Sequence, residues 1–170
     1  IDLVPLDDPT VGDLLAVPCN TAHYYIDQFI DELPVPLVHI VEATLDEAER
    51  RSPNGAWLTG TIGTMRTGLY QRAAERRGYA LHEPAVAHQE RIMGVIGQVK
   101  AGKLDEAGAE FRRVVEELRE IGERPIVMAC TEIPLAFNRS GLDRSVAVSS
   151  LEALAKATYE KAQSMRLGGS

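Results

Sequence analysis

The chain has 170 residues, 45% of them hydrophobic and 25% charged, enough for one domain or two small lobes with a real core. A net charge of −7 and a pI near 5.1 exclude the basic footprint of a nucleic-acid binder, and no apolar run reaches the length of a membrane span. Cys19 and Cys130, the two cysteines, lie too far apart in sequence for a secreted disulfide framework, so a cytoplasmic protein with free thiols is expected.

The start, Ile1-Asp2-Leu3-Val4-Pro5, lacks the charged and apolar regions of a signal peptide, and Asp7–Asp13 reads as a loop. Leu14–Val17 is a buried-strand candidate ending at Pro18-Cys19, followed by a helix expected from about Thr21 through Leu33. Pro34-Val35-Pro36 breaks that helix. Leu37–Val41 reads as the next strand, with His39 at its centre as a hydrogen-bonded core histidine, and Glu42–Arg51 as a polar helix. Ala56–Thr59 is a third strand; it enters the turn Gly60–Thr64 and then a helix through about Arg77. Tyr79–His82 is a short strand, and helices are expected over roughly Val86–Ala101 and Leu104–Gly122. The second of these carries Phe111, Val114, Val115 and Leu118 on one face. Pro125–Ala129 is a strand ending at Cys130, Ser145–Val148 a short last strand, and Ser150 a candidate cap for a closing helix to about Ser164. Leu167–Ser170 reads as a linker or tag remnant. This alternation of short apolar runs with amphipathic stretches predicts an α/β fold with parallel strands.

Ala16-Val17-Pro18-Cys19-Asn20-Thr21 and Val127-Met128-Ala129-Cys130-Thr131-Glu132 share one layout: apolar strand, cysteine, then polar residues opening a turn or helix. Both thiols then sit outside the carboxyl ends of strands, where ligands bind in open α/β sheets. Backbone N–H groups and a helix dipole there are expected to favour thiolate, and the same N–H groups can hold a carboxylate. A thiolate and a thiol on opposite faces of an amino-acid α-carbon can exchange its proton without a metal or pyridoxal phosphate. Position alone leaves a second reading open, in which each cysteine is a small core hydrophobe. His23, one helical turn beyond Cys19, could tune the thiol or touch substrate; no third clustered ligand favours zinc. His82 and His88 read as surface or loop residues. Arg66, Arg91 and Arg139 could hold a side-chain carboxylate, but read better as solvated surface charges. The helix start at Thr61-Ile62-Gly63-Thr64 offers hydroxyls and amides for a carboxylate and is not a Walker loop. A redox pairing would need the two cysteines within about 7 Å between Cα atoms.

Pro18-Cys19-Asn20-Thr21-Ala22-His23 resembles the first cysteine motif of the aspartate/glutamate racemase family. Cys130-Thr131-Glu132-Ile133-Pro134-Leu135 resembles its second, with Ala129 where a Gly more usually stands, and Gly63–Tyr70 resembles the substrate loop between them. The resemblance spans most of the chain. It implies a cofactor-independent amino-acid racemase with no metal, built as parallel sheets flanked by helices in two pseudo-symmetric lobes around the site. It also implies Cys19 and Cys130 as the acid/base pair, and Asn20, Thr21, Thr61, Thr64 and Thr131 as ligands of the substrate's α-carboxylate and amino group. His23 and Glu132 would orient or tune the thiols. A small amino acid is the implied partner, within a homodimer.

Family members usually carry a Gly-rich strand–loop–helix well before the first cysteine, so the first lobe is expected to be incomplete and the chain N-terminally shortened or engineered. On this reading residues 1–53 are the remainder of the first lobe, 54–142 the second lobe, 143–166 a closing strand and helix returning to the first, and 167–170 the remnant. Ser149 stands near the last strand where an acidic residue is common, which changes the polarity expected there. Related activities are maleate isomerase, hydantoin racemase and arylmalonate decarboxylase. The pair of thiols speaks against the decarboxylase, and the Thr-rich loop with Cys-Thr-Glu favours amino-acid racemisation. The alternative class is a binding module or fragment of this fold without a complete pocket.

Overall fold

A computed structural model describes residues 12–168 of the chain. The loop expected over Asp7–Asp13 falls largely outside them, as do Ile1–Pro5 and Gly169–Ser170. The first strands, β1 (Leu15–Ala16) and β2 (Leu37–Val38), pair in parallel, Leu15 beside Leu37 and Ala16 beside Val38. Between them, the helix expected over residues 21–33 is replaced by a short one, α1 (His23–Ile26), and a 3-10 turn at Ile30–Glu32. The physical reason is the lack of a buried stripe: Tyr24, Tyr25, Phe29 and Ile30 face solvent, and His23 is the one buried residue of this stretch.

His39 corrects a second expectation. It lies beyond β2 as the N-cap of α2 (Ile40–Arg51), its Nδ1 accepting the Val41 N–H at 3.2 Å. The apolar run Leu37–Val41 thus divides between strand and helix, because Ile40 and Val41 reach the core from the first turn of α2.

The main sheet follows. It contains β3 (Ala56–Gly60), β4 (Leu81–His82), β5 (Ile126–Ala129) and β6 (Ala147–Ser149), all parallel, in the order β4-β3-β5-β6. Every residue of β3, β5 and β6 is buried, as expected of strands covered on both faces. On one face, α5 (Val86–Lys100), α6 (Leu104–Ile121) and α7 (Ile133–Ser140) pack on Trp57, Ile126, Met128 and Cys130. On the other, α2 and α4 (Leu69–Arg77) pack on Ala56, Leu58, Val127 and Ala129, where α8 (Ser150–Gly168) adds Leu154.

The single helix expected after the Gly60–Thr64 turn is two, α3 (Ile62–Thr67) and α4, because Gly68 adopts φ +65° and turns the chain between them. In the segment 143–166, β6 joins the main sheet, and α8 packs against α2, β2, β5 and β6 and runs on to Gly168. No helix among the described residues is long and apolar enough to cross a membrane.

Helices α6 and α7 touch through Gly108. A Cβ there would stand 2.6 Å from the Cβ of Arg139 and 2.7 Å from its carbonyl carbon, in a place where backbone has no room to yield. Gly108→Ala is therefore expected to destabilise the fold by about 1–3 kcal/mol despite the better helix propensity of alanine. A lower thermal midpoint by circular dichroism checks this.

Candidate active site

The ends of β3 and β5 and the segment after β1 meet at one cleft of about 170 Å³. It is lined by Cys19, Asn20, Thr21, Thr61, Thr64, Ala129, Cys130, Thr131 and Glu132. Two cysteines from distant parts of the sequence, and every residue expected to bind substrate, thus share one wall system. Cys19 is exposed and Cys130 is buried.

Three threonines form a hydroxyl cluster across the cleft. Thr61 caps α3, its Oγ1 accepting the Thr64 N–H at 3.0 Å. The Thr64 hydroxyl lies 3.0 Å from the hydroxyls of both Thr61 and Thr21. Thr64 therefore joins the first cysteine segment to the end of β3.

The Cys130 thiol donates to Glu132 Oε2 at 3.0 Å, and the Thr131 hydroxyl donates to the same oxygen at 2.7 Å. Burial, with the Glu132 carboxylate beside it, pushes the Cys130 thiol up to about 11. The expectation that a strand-to-helix junction would favour thiolate is thus reversed at Cys130. The N–H groups of Glu132 and Ile133 act in the expected direction, but desolvation and a neighbouring negative charge outweigh them. Glu132 moves the opposite way, its carboxyl held below the usual range by the bonds from Cys130 and Thr131. Its second oxygen, Oε1, stands 3.6 Å from Lys100 Nζ at the end of α5.

His23 is fully buried behind Cys19 rather than in the cleft. Its Nε2 lies 3.5 Å from the Ile40 N–H, a donor, so Nδ1 carries the ring proton and donates to the Cys19 carbonyl at 2.9 Å. Burial lowers its pKa, which keeps this neutral form. The His39 ring lies 4.5 Å away, edge to face, with its Nε2 2.9 Å from Asp27.

Asn20 lines the cleft, yet its amide is engaged inward, accepting from the Tyr70 hydroxyl at 2.6 Å and donating to Ser150 Oγ at 3.1 Å. Ser150 is not the cap of α8; Ser149 is, its hydroxyl accepting the Glu152 N–H at 3.3 Å, and Ser149 does not line the cleft. Sequence reasoning missed Tyr70, Ser150 and Lys100 at this site. Tyr70 closes the quoted loop motif, whereas Lys100 carried no signal. Arg91 pairs with Glu110 and Glu117 at 2.6 Å each and Arg139 with Asp105 at 3.8 Å, so neither points at the cleft; Arg66 is exposed. His88 pairs with Glu117 at 3.1 Å, and His82 lies beside Trp57. Among the described residues no group of three or more His, Cys, Asp or Glu is placed to hold a metal ion.

The sequence profile of the Asp/Glu/hydantoin racemase family matches residues 8–158. The broad specificity amino-acid racemase RacX of Bacillus subtilis is 27% identical over 156 residues, which cover 89% of this chain and 65% of that protein. A glutamate racemase of Aquifex pyrophilus is 30% identical over 128 residues, covering 72% of this chain and 47% of that protein. The chain thus spans between about half and two thirds of these relatives. Among solved structures, an aspartate racemase homologue from Pyrococcus horikoshii superposes with a TM-score of 0.76 at 26% identity, over 89% of this chain and 67% of that one. The Picrophilus torridus aspartate racemase shares the fold, with a TM-score of 0.75 at 22% identity, over 93% and 65% of the two chains.

The carboxylate beside Cys130 disfavours its thiolate, so removing that charge must lower the pH at which the thiol ionises. Alkylation of Cys130, followed by peptide-resolved mass spectrometry, is expected to rise towards pH 11 in the parent chain. Glu132→Gln is expected to bring that rise to lower pH. An unmoved profile would assign the whole shift to burial.

Proposed function

We propose that this chain, which belongs to the Asp/Glu/hydantoin racemase family, racemises amino acids at the α-carbon with Cys19 and Cys130 as the two bases. The observation that carries the reading is the single cleft shared by both thiols and by the threonine hydroxyls. A racemase needs a proton acceptor on one face of the substrate and a donor on the other. The buried Cys130, kept protonated by its surroundings, takes the donor role in the first half-reaction, and the exposed Cys19 takes the acceptor role as thiolate.

Cys19 sulfur gains the α-proton as the Cα–H bond breaks, and the electron pair passes to the carbanion and its carboxylate. Cys130 then delivers its S–H proton to the opposite face, leaving a thiolate. Atoms and charge balance, and the reverse direction starts from the exchanged protonation state. Hydroxyls of Thr21, Thr61 and Thr64 are the neutral groups that face the α-carboxylate, where negative charge grows, while Thr131 donates its hydroxyl proton to Glu132. Glu132 holds the Cys130 S–H bond in place, and His23 holds the Cys19 backbone. The substrate class is a small amino acid, aspartate or glutamate first, with a broader range consistent with the broad-specificity relative.

The test follows α-proton exchange with D₂O and inversion for aspartate, glutamate and a panel of neutral and basic amino acids. Racemisation of at least one is expected, and Cys19→Ala and Cys130→Ala are each expected to lower it by roughly 10²- to 10⁴-fold. Absence of exchange across the panel would overturn the racemase reading and favour a binding module. Full activity in either variant would overturn the two-base mechanism.

A further inference from the structure

The first cysteine segment has little apolar anchorage. From Gly12 to Ala22 the one buried residue is Asn20; Leu14–Val17 are half-buried, and Pro18 and Cys19 are exposed. What holds Cys19 in place is therefore largely polar: beside the Thr21–Thr64 and His23–Cys19 bonds, a row of hydrogen bonds runs behind the cleft. The Tyr70 hydroxyl bonds Asn20 Oδ1 at 2.6 Å, Asn20 Nδ2 bonds Ser150 Oγ at 3.1 Å, and Ser150 Oγ bonds the Met128 carbonyl at 2.9 Å. Tyr70 and Ser150 are fully buried.

Donor counting gives this row one direction. The Met128 carbonyl only accepts, so Ser150 gives it the single hydroxyl proton and must accept from Asn20. Asn20 then presents its N–H to Ser150 and its oxygen to Tyr70, which must donate. Thr44, 3.2 Å from Tyr70, sends its own proton to the Ile40 carbonyl at 2.6 Å, so the Tyr70 proton goes to the shorter bond with Asn20. A flipped Asn20 amide would set its oxygen against Ser150, leaving Ser150 to serve two acceptors with one proton. The amide is locked.

We propose that Tyr70 and Ser150 are positioning residues, whose one-way row of hydrogen bonds fixes the Cys19 segment against the strand that carries Cys130. Met128 lies two residues before Cys130, so the row connects the two thiol-bearing backbones and sets the gap between them. This role rests on the two-cysteine reading above. Neither residue lines the cleft; both act through Asn20.

The experiment compares Tyr70→Phe, Ser150→Ala and the double variant with Tyr79→Phe. Tyr79 is a buried tyrosine whose hydroxyl donates to the Ser52 carbonyl at 3.0 Å, away from the cleft, so its loss controls for general destabilisation. Readouts are kcat and KM for amino-acid racemisation and the alkylation rate of Cys19 at fixed pH. In Tyr70→Phe and Ser150→Ala, kcat is expected to fall roughly 10- to 100-fold, because binding survives while alignment does not, and KM to change little. The double variant is expected to be no worse than the more damaging single one, since a freed amide has nothing further to release. Cys19 alkylation should rise in the same variants. Tyr79→Phe should leave kcat and alkylation at parent values.

Independent, multiplying effects of the two substitutions, or losses matched by Tyr79→Phe, would overturn the proposal. If the parent chain turns over no amino acid, the two-cysteine reading fails separately. Cys19 alkylation then decides whether the row exists as a restraint: faster in Tyr70→Phe and Ser150→Ala supports it, and unchanged rates refute it.

Discussion

The parallel pairing of β3 with β5 sets Trp57–Gly60 beside Ile126–Ala129 and ends both strands level, so that Thr61 and Cys130 leave the sheet at the same height. The close approach needs Gly60, since a Cβ there would lie 3.0 Å from the Ala129 carbonyl oxygen and press the strands apart. From this pair the chain departs in opposite directions, β3 leading to β4 on one side and β5 to β6 on the other. The helices between β3 and β4 cover one face, and those between β4 and β6 the other. Such a reversal opens a crevice beyond the carboxyl ends of the two central strands. The cleft lies there because the strand order puts it there.

Two opposing effects meet on Cys130. A helix start favours an anion by about 0.3–1 kcal/mol, which is less than one pKa unit. Burial can move a group by several units the other way, and a carboxylate within hydrogen-bond distance adds to it. The magnitudes decide for the protonated thiol. Cys19, from a similar sequence layout, meets the opposite environment because the segment around it is open to solvent.

The parts of the fold legible in the sequence were those whose signal is local. β3 and β5 read as apolar runs because both faces are covered, and α6 read from the spacing of Phe111, Val114, Val115 and Leu118. The stretch 21–33, expected as one helix, is divided because its apolar side chains lie at the surface and no buried stripe sustains a longer one. Leu37–Val41 misled because so short a run, four apolar residues around His39, cannot distinguish a strand from a helix entrance. At the cleft, every lining residue but Ala129 was given a site role from the motifs, which follow strand ends. The bonds of Tyr70 and Ser150 to Asn20 were not legible, because the two residues lie 50 and 130 positions from it, and no local pattern encodes such a bond.

The charge of Glu132 bears on what the cleft can admit. A bare carboxylate on its wall would repel the carboxylate of an entering amino acid. Here Oε2 already takes protons from Cys130 and Thr131, and Oε1 faces the Lys100 ammonium. The anion is thereby covered, and the surface left for a ligand is that of the Thr21, Thr61 and Thr64 hydroxyls. Those groups rotate freely enough to donate to a carboxylate or to accept from an ammonium. The bond that covers Glu132 is also the bond that keeps Cys130 protonated. Loss of that proton would leave the carboxylate beside a thiolate, and the repulsion between two adjacent negative charges favours the protonated sulfur.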